Sequence, residues 1–484
     1  MKKHISFGII FTLLTLAQAA CGNSDTIDTA KETTAPSTES VTAADTEDPS
    51  LRDSLPDADF NGATYTILTQ TYTEEDFIAE AETGALINDA VYRRNSAVEE
   101  RFNVDLQFDS RGSIPDGTNA SSTALRNSVN AGDNAYQLYS DCMLAAAPNA
   151  LKNCLLDMGS LEYLDLSRAW WNQSSRTALS IDGHVFLLAG NIAHDYTTHM
   201  HCLFMNKRLG SNLDMTSTVY DSVFNGVWTV DYFQSLLKDT WQDLNGNSKP
   251  DEYDSYGYFA HSSTWSEIYT YAFGETVISH DSDGMPVLNF NQDKFASMVE
   301  KVYDLLYETE GTYTFEDYYL GMFTDGRAVF ATGCLSHSFD AFSDMEDDFA
   351  ILPYPKWDEA QDTYHTFSDG AAPIVGIPTT VEDIEMAGII TEGLAAEGYR
   401  TVMPAVYDKA LKGRGTRDEE SVRIIDIIQN GCIIDFGFVY EIGGNTMYSL
   451  ISKKNKNFAS YYEKKEKTWQ KKLDSTIASY MKNQ

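Results

Sequence analysis

Between residues 60 and 108 the chain reads strand, helix, strand, and that order confines it to layered α/β architectures. "FNGATYTILTQ" turns at Asn61-Gly62 and enters an apolar, β-branched run over 64–69, the composition of a buried strand. "INDAVYRRNSAVEERFNVDLQF" follows. Asn88 stands where a helix cap is expected, Val91, Val98 and Phe102 fall on one apolar stripe, and "VDLQF" resumes strand alternation.

The same mixture continues downstream. "NAYQLYSDC" reads as another buried strand, and "ALSIDGHVFLLAG" as a hairpin around Asp182-Gly183. "NGVWTVDYFQSLLKDTWQDLNGN" gives a helix capped by Thr229, with Asp231 in the first turn, where the helix dipole favours an acid. "DFAILPYP" and "APIVGIP" are strand-like, and the last thirty or so residues form a polar helix whose lysines read as a solvated face. From about Leu55 onward some 430 residues, in a chain that is 43% hydrophobic, exceed what one core absorbs, so two lobes are expected.

The first 55 residues are of another kind. "MKKHISFGIIFTLLTLAQAAC" carries two lysines, a short apolar run and small residues before Cys21, the pattern of an export signal over residues 1–21. "AQAAC" is similar to a bacterial lipoprotein box, in which Cys21 carries the lipid; Gln18 departs from the Leu usual there, and an ordinary signal peptide cut near Ala20 is the alternative. Residues 22–55, rich in Ser, Thr, Asp and Glu, cannot bury enough surface to fold and read as a disordered tether with a reach of roughly 30 Å. The formal net charge of −37 argues against nucleic acid and against adsorption to anionic lipid, which leaves Cys21 to provide membrane attachment. Cys142, Cys154, Cys202, Cys334 and Cys432 are odd in number and irregularly spaced; buried thiols are expected rather than a disulfide framework.

"DLNGNSKPDEYD", residues 243–254, has the spacing of a calcium loop. Positions 1, 3, 5, 7, 9 and 12 are Asp243, Asn245, Asn247, Lys249 (through its carbonyl), Asp251 and Asp254. Ser248 replaces the usual Gly at position six and Asp254 the usual Glu at twelve, so a structural Ca²⁺ site of modest affinity is expected; a polar turn that binds nothing is the alternative.

The segments "INDAVYRRNSAVEERFNV", "HCLFMNKRLG", "GVWTVDYF" with the following Asp/Asn/Gly loop and "YGYF", "YLGMFTDGRAVFATG", and "DFAILPYPKWDEAQDTYHTFSDG" occur in an order that resembles the extracellular solute-binding lipoproteins of bacterial ABC importers, family 1, the sugar-binding type common in Gram-positive bacteria. The resemblance spans roughly residues 60–440. It implies a two-lobed, periplasmic-binding-protein-like fold, with a hinge of crossing strands and a ligand cleft between the lobes. It places the first lobe at 56–190 with 334–376, the second at 195–330 with 380–484, and the crossings near 190–195, 331–334 and 377–380. It further implies a non-catalytic, monomeric receptor on the outer face of the cell membrane, which hands a carbohydrate, an oligosaccharide above all, to the membrane subunits of an ABC permease.

Sugars are held by flat aromatic faces and by carboxylates or amides that accept from hydroxyls. Tyr139 and Asp141 stand at a strand's C-terminal end, where open α/β sheets place ligand contacts, with a helix cap as the bland alternative. Trp170 and Trp171 of "AWWNQ" offer one ring to the core and one to the cleft. Trp265, after "YGYF", is the preferred platform from the second lobe, while His337 and Asp369 fall where crossing segments line the crevice. Trp228 is expected to be structural. His199, His201 and Cys202 suggest zinc, but two histidines do not close a site. The rival readings are a secreted glycoside hydrolase, which needs two carboxylates flanking the bond, and a peptide receptor of the same fold. The chain has no HExxH, nucleophile elbow or phosphate loop.

Overall fold

A computed structural model describes residues 51–262, 264–315, 320–412 and 419–482. The expected signal segment, Cys21 and the tether up to Ser50 lie outside them. Ala63–Gln70 pairs in parallel with Val104–Arg111, Ala63 opposite Val104, and the helix Leu86–Phe102 between them lays Val98 and Phe102 on the sheet against Tyr65, Ile67 and Leu106. Asn88 is not the cap. The helix begins at Leu86, and Asn88 sits inside its first turn with its amide donating to the Ala81 carbonyl at 2.8 Å. Asp89 meets the preceding chain instead, accepting from the backbone N–H groups of Thr83 and Gly84 at 2.7 and 3.1 Å.

This first sheet has the order 373–376, 138–142, 63–70, 104–111, with only Pro373–Gly376 antiparallel. A second sheet of five strands runs Phe349–Leu352, His201–Asn206, Ala328–Cys334, Tyr256–His261, Thr312–Phe315. Its members pair in both senses. Two sheets with helices on their faces make the α/β, two-lobed architecture expected. The local signals hold as well: Asp182 and Gly183 take φ of 51° and 83°, as a type I′ hairpin turn requires, and Thr229 Oγ1 accepts from Tyr232 N at 3.2 Å.

The lobe boundaries differ from those expected. Residues 349–352 belong to the second sheet, paired with His201–Asn206, and residues 373–376 return to the first. The helix Ile384–Glu397 and the segment through Val406 pack on Leu86–Phe102 and therefore belong to the first lobe, whereas Ile424, Ile425 and Ile428 sit in the second-lobe core. The chain thus crosses near 190–200 and again near 366–372, and it is back in the second-lobe core at Ile424. No crossing occurs at 331–334, because Ala328–Cys334 is hydrogen-bonded on both sides within the second sheet. The first two passages lie side by side, with Met200 bridged to Ser368.

At the first crossing His194 is buried between two carboxylates, Nδ1 2.8 Å from Asp76 and Nε2 3.8 Å from Asp195, and the buried Arg94 guanidinium donates to the Asp76 and Ile192 carbonyls. Burial opposes charge on His194, yet the two carboxylates outweigh it and raise its pKa. The folded body also starts earlier than the expected tether end at 55. Asp53 takes a bidentate pair of bonds from Arg101 at 2.6 and 2.8 Å, and Leu55 packs on the first-lobe core. All five described cysteines are free and buried. Among the described residues no helix is long and apolar enough to cross a membrane.

Candidate functional site

Residues that follow the C-terminal ends of strands in both sheets meet in one cavity of about 330 Å³ between the lobes. The first lobe contributes Ile114 and Pro115, beyond Val104–Arg111, with Cys142 and Leu144 at the end of Leu138–Cys142. The second contributes His201, at the start of its strand, and Trp265, Glu267 and Ile268, beyond Tyr256–His261. The second crossing supplies Phe367 and Asp369. Phe438, Glu441, Asn445 and Tyr448 close the cavity from the C-terminal segment.

Trp265 is 9% exposed and its ring is set among three imidazoles, with centroids 5.1 Å from His201, 4.8 Å from His261 and 5.7 Å from His337. Burial pushes these histidines down, His201 and His261 to about 4 and His337 to about 3. They are therefore neutral rings at pH 7. His201 Nε2 lies 3.9 Å from an Asp369 carboxylate oxygen. Asp369 is fixed at both ends: its N–H donates to the His199 carbonyl at 3.0 Å, and its Oδ1 accepts from Ala371 N at 2.8 Å.

Glu267 is fully buried at the cleft, one oxygen accepting from the Thr270 hydroxyl and the other from Tyr448 N, both at 3.0 Å. Burial lifts it to about 8, so it is an uncharged acid at neutral pH. Phe367 stacks on Tyr271 at 4.4 Å and meets Phe438 edge-on at 4.6 Å. Glu441 holds a φ of 53° immediately before the Ile442-Gly443-Gly444 turn, a conformation uncommon for a residue with a side chain, and Lys472 Nζ lies 3.4 Å from its carboxylate.

Of the residues expected to bind ligand, Trp265 and Asp369 line this cavity. The others do not. Tyr139 and Asp141 alternate onto the covered face of their strand, where the Tyr139 hydroxyl donates to Asp141 Oδ2 at 2.6 Å and meets Ser122 and Asn149 at 2.9 and 3.0 Å. Asp141 also accepts from the Ser113 hydroxyl and from its neighbour Cys142 N, which consumes its oxygens internally. It is Cys142, one residue on, that reaches the cleft. Trp170 and Trp171 are both 1% exposed, each donating its indole N–H to one oxygen of Glu392 at 2.9 Å. A Cβ at residue 190 would lie 2.6 Å from the Trp171 ring, so Gly190 is required for that packing. His337 lies behind Trp265, its Nδ1 accepting from Cys334 N at 2.8 Å. Trp228 is core, as expected, its N–H bonded to the Pro353 carbonyl.

His199 does not share a strand face with His201. It caps the short helix Asp195–Thr198, with Nδ1 2.8 Å from the Asp195 carbonyl, and Cys202 is sealed in the core. Reading residue by residue missed His201 as a cleft wall and missed the whole of 438–448. The run "GFVYEIGGNTMY", aromatic and acidic around two glycines, held the signal.

In the loop 243–254 the side chains turn inward. Asp243 accepts from the backbone of Gly246 and Ser248 at 2.7 Å each, and the amides of Asn245 and Asn247 both meet the Asp251 carboxylate at 2.6–3.0 Å. Asp254 is buried, accepting from Leu244 N and Trp241 Nε1. Ser248 takes φ of 58°, the left-handed conformation for which position six ordinarily uses Gly.

No family model matches the chain, and no curated protein matches its sequence. Solved structures do. The GacH receptor of Streptomyces glaucescens, described unliganded and with acarbose, has a TM-score of 0.51 at 11% identity over 87% of this chain and 98% of that one. An ABC transporter solute-binding protein of Thermotoga lettingae bound with α-D-tagatose gives 0.51 at 13% identity, covering 86% of this chain and all of that one. An ABC substrate-binding protein of Listeria monocytogenes in complex with cycloalternan gives 0.50 at 11% identity over 87% and 98%. The fold is that of the two-lobed binding proteins of ABC transporters.

Proposed function

We propose that this chain is the extracellular solute-binding receptor of an ABC importer, capturing a saccharide in the inter-lobe cleft and presenting it, closed, to a membrane permease. The observation that carries this reading is the cleft's composition. Trp265, Phe367, Phe438 and Tyr448 supply aromatic surface against C–H faces, and Asp369, Glu441 and Asn445 supply acceptors for hydroxyls, from separate lobes and a crossing segment. Three structures sharing the fold hold acarbose, tagatose and cycloalternan. A ligand touching both lobes binds the closed state better than the open one and so shifts the population toward it. Those neighbours are binding proteins, and the same reading makes this chain a non-enzyme that acts as a monomer. It is attached to the outer face of the membrane through a lipid on Cys21.

The reading also assigns Ca²⁺ to the loop 243–254. The spacing of Asp243, Asn245, Asn247, Lys249, Asp251 and Asp254 and the left-handed Ser248 support it. Bound there, the ion would clamp the entry to the strand Tyr256–His261, whose far end leads to Trp265.

The test is a melting-temperature screen of residues 51–484 against mono- and oligosaccharides, with calcium and again with chelator. A sugar present at a hundred times its Kd adds about 2.7 kcal/mol to the native state. X-ray scattering with that sugar is expected to show a more compact particle. A peptide mixture that raises the melting point while every sugar fails sinks the carbohydrate reading and leaves the receptor fold.

A further inference from the structure

The charges around the cleft are one-sided. None of the described residues that line it is a lysine or arginine, while Asp369 and Glu441 belong to its wall, and Glu267 is there as the uncharged acid described above. The group closest to Asp369 in the ion-pair range is His201, 3.9 Å away, and burial keeps that imidazole neutral until about pH 4. Glu441 has a cation, Lys472, at 3.4 Å, but on an exposed side chain at the rim, where such a pair is weak. The remaining wall is mostly aromatic or aliphatic, with Asn445 and Cys142 as uncharged polar members, and aromatic faces carry negative potential that also favours cations over anions. The chain as a whole has a formal net charge of −37.

Resting on the saccharide reading above, we infer that the cleft selects by charge: it admits uncharged and amine-bearing saccharides and excludes those carrying carboxylate, sulfate or phosphate groups, with Asp369 as the residue that sets the discrimination. A hydroxyl or ammonium donates to the Asp369 carboxylate. An anionic substituent at the same place finds no positively charged donor among the described lining residues and loses hydration that they do not replace.

The experiment uses fluorescently labelled protein (residues 51–484) on a glycan array holding neutral, aminated, uronate-containing, sulfated and phosphorylated glycans. It is followed by titration of the best neutral binder beside its own 6-carboxylate and 6-amino derivatives. The expected result is hits confined to neutral and aminated glycans, with the carboxylate derivative at least about tenfold weaker than the neutral parent at low salt. In Asp369→Asn, which keeps the shape and removes the charge, the ratio of the two dissociation constants narrows at least threefold, even as both sugars lose affinity. Acidic glycans among the strongest hits overturn the inference while leaving the saccharide reading in place. So does a ratio untouched by Asp369→Asn. An array with no hit of any charge overturns the saccharide reading, and the selectivity with it.

Discussion

The indole of Trp265 meets the imidazole of His201 edge-on, ring centres 5.1 Å apart, and both rings line the cleft. Replacing Trp265 by Ala removes an aromatic platform from the second lobe. The expected outcome is a loss of about 1–3 kcal/mol in saccharide affinity, tenfold or more in Kd by calorimetry. His201→Ala frees the ring and is expected to weaken binding less.

Glu392 makes a contrasting prediction. Its two oxygens hold the N–H groups of Trp170 and Trp171, and none of the three residues lines the cleft. Glu392→Ala leaves two buried donors without acceptors, at roughly 2–5 kcal/mol in urea unfolding, whereas Glu392→Gln retains one carbonyl acceptor and costs less. Saccharide Kd, measured where both variants are folded, is expected to stay that of the parent.

Acid weakens the fold through the imidazoles around Trp265. Unfolded histidines take up protons near pH 6.5, but His201 and His261 resist down to about 4 and His337 to about 3. Between those limits the unfolded chain binds more protons, so the imidazoles' contribution to stability is complete above pH 6.5 and falls as pH falls toward 4, by about 3 kcal/mol for His201 alone. Denaturant midpoints across pH 4–7.5 check this, and His201→Phe, which keeps a ring but cannot titrate, is expected to flatten the curve in that window.

Glu267 works in the opposite direction. Its folded pKa of about 8 lies above that of an unfolded glutamate, so the native state holds the extra proton between about 4.5 and 8 and loses stability as pH rises through that range. Melting temperatures from pH 6 to 9 are expected to decline in the parent and to stay level in Glu267→Gln.

For the loop 243–254, chelator is expected to lower the melting temperature and millimolar Ca²⁺ to restore it. Asp243→Ala and Asp251→Ala are expected to melt at one temperature in both conditions. A chelator-insensitive parent would show that the loop is held by its Asx turns alone.

What could be read in advance was local. The strand over 63–70, the Asp182-Gly183 turn and the Thr229 cap each depend on residues within a few positions, and the chain carries their patterns in the open. Trp265 and Asp369 were reachable because one follows a strand end and the other a crossing segment. Trp170 and Trp171 were not, because their role is set by Glu392, more than 220 positions away. His201 and Glu441 likewise come to one wall only after the second sheet and the C-terminal segment have closed on each other, and Tyr139 and Asp141 differ from Cys142 only in which face of the strand they occupy.

The placement of the aromatic side chains has an optical consequence. Of seven tryptophans in the chain, Trp265 alone lines the cleft; Trp170, Trp171 and Trp228 are sealed in cores, and Trp241, Trp357 and Trp469 are part of other packing surfaces. The molecule therefore contains its own fluorophore in the wall of the cleft proposed to take the ligand, and occupancy is expected to show in the unlabelled parent as a change in emission that Trp265→Phe abolishes.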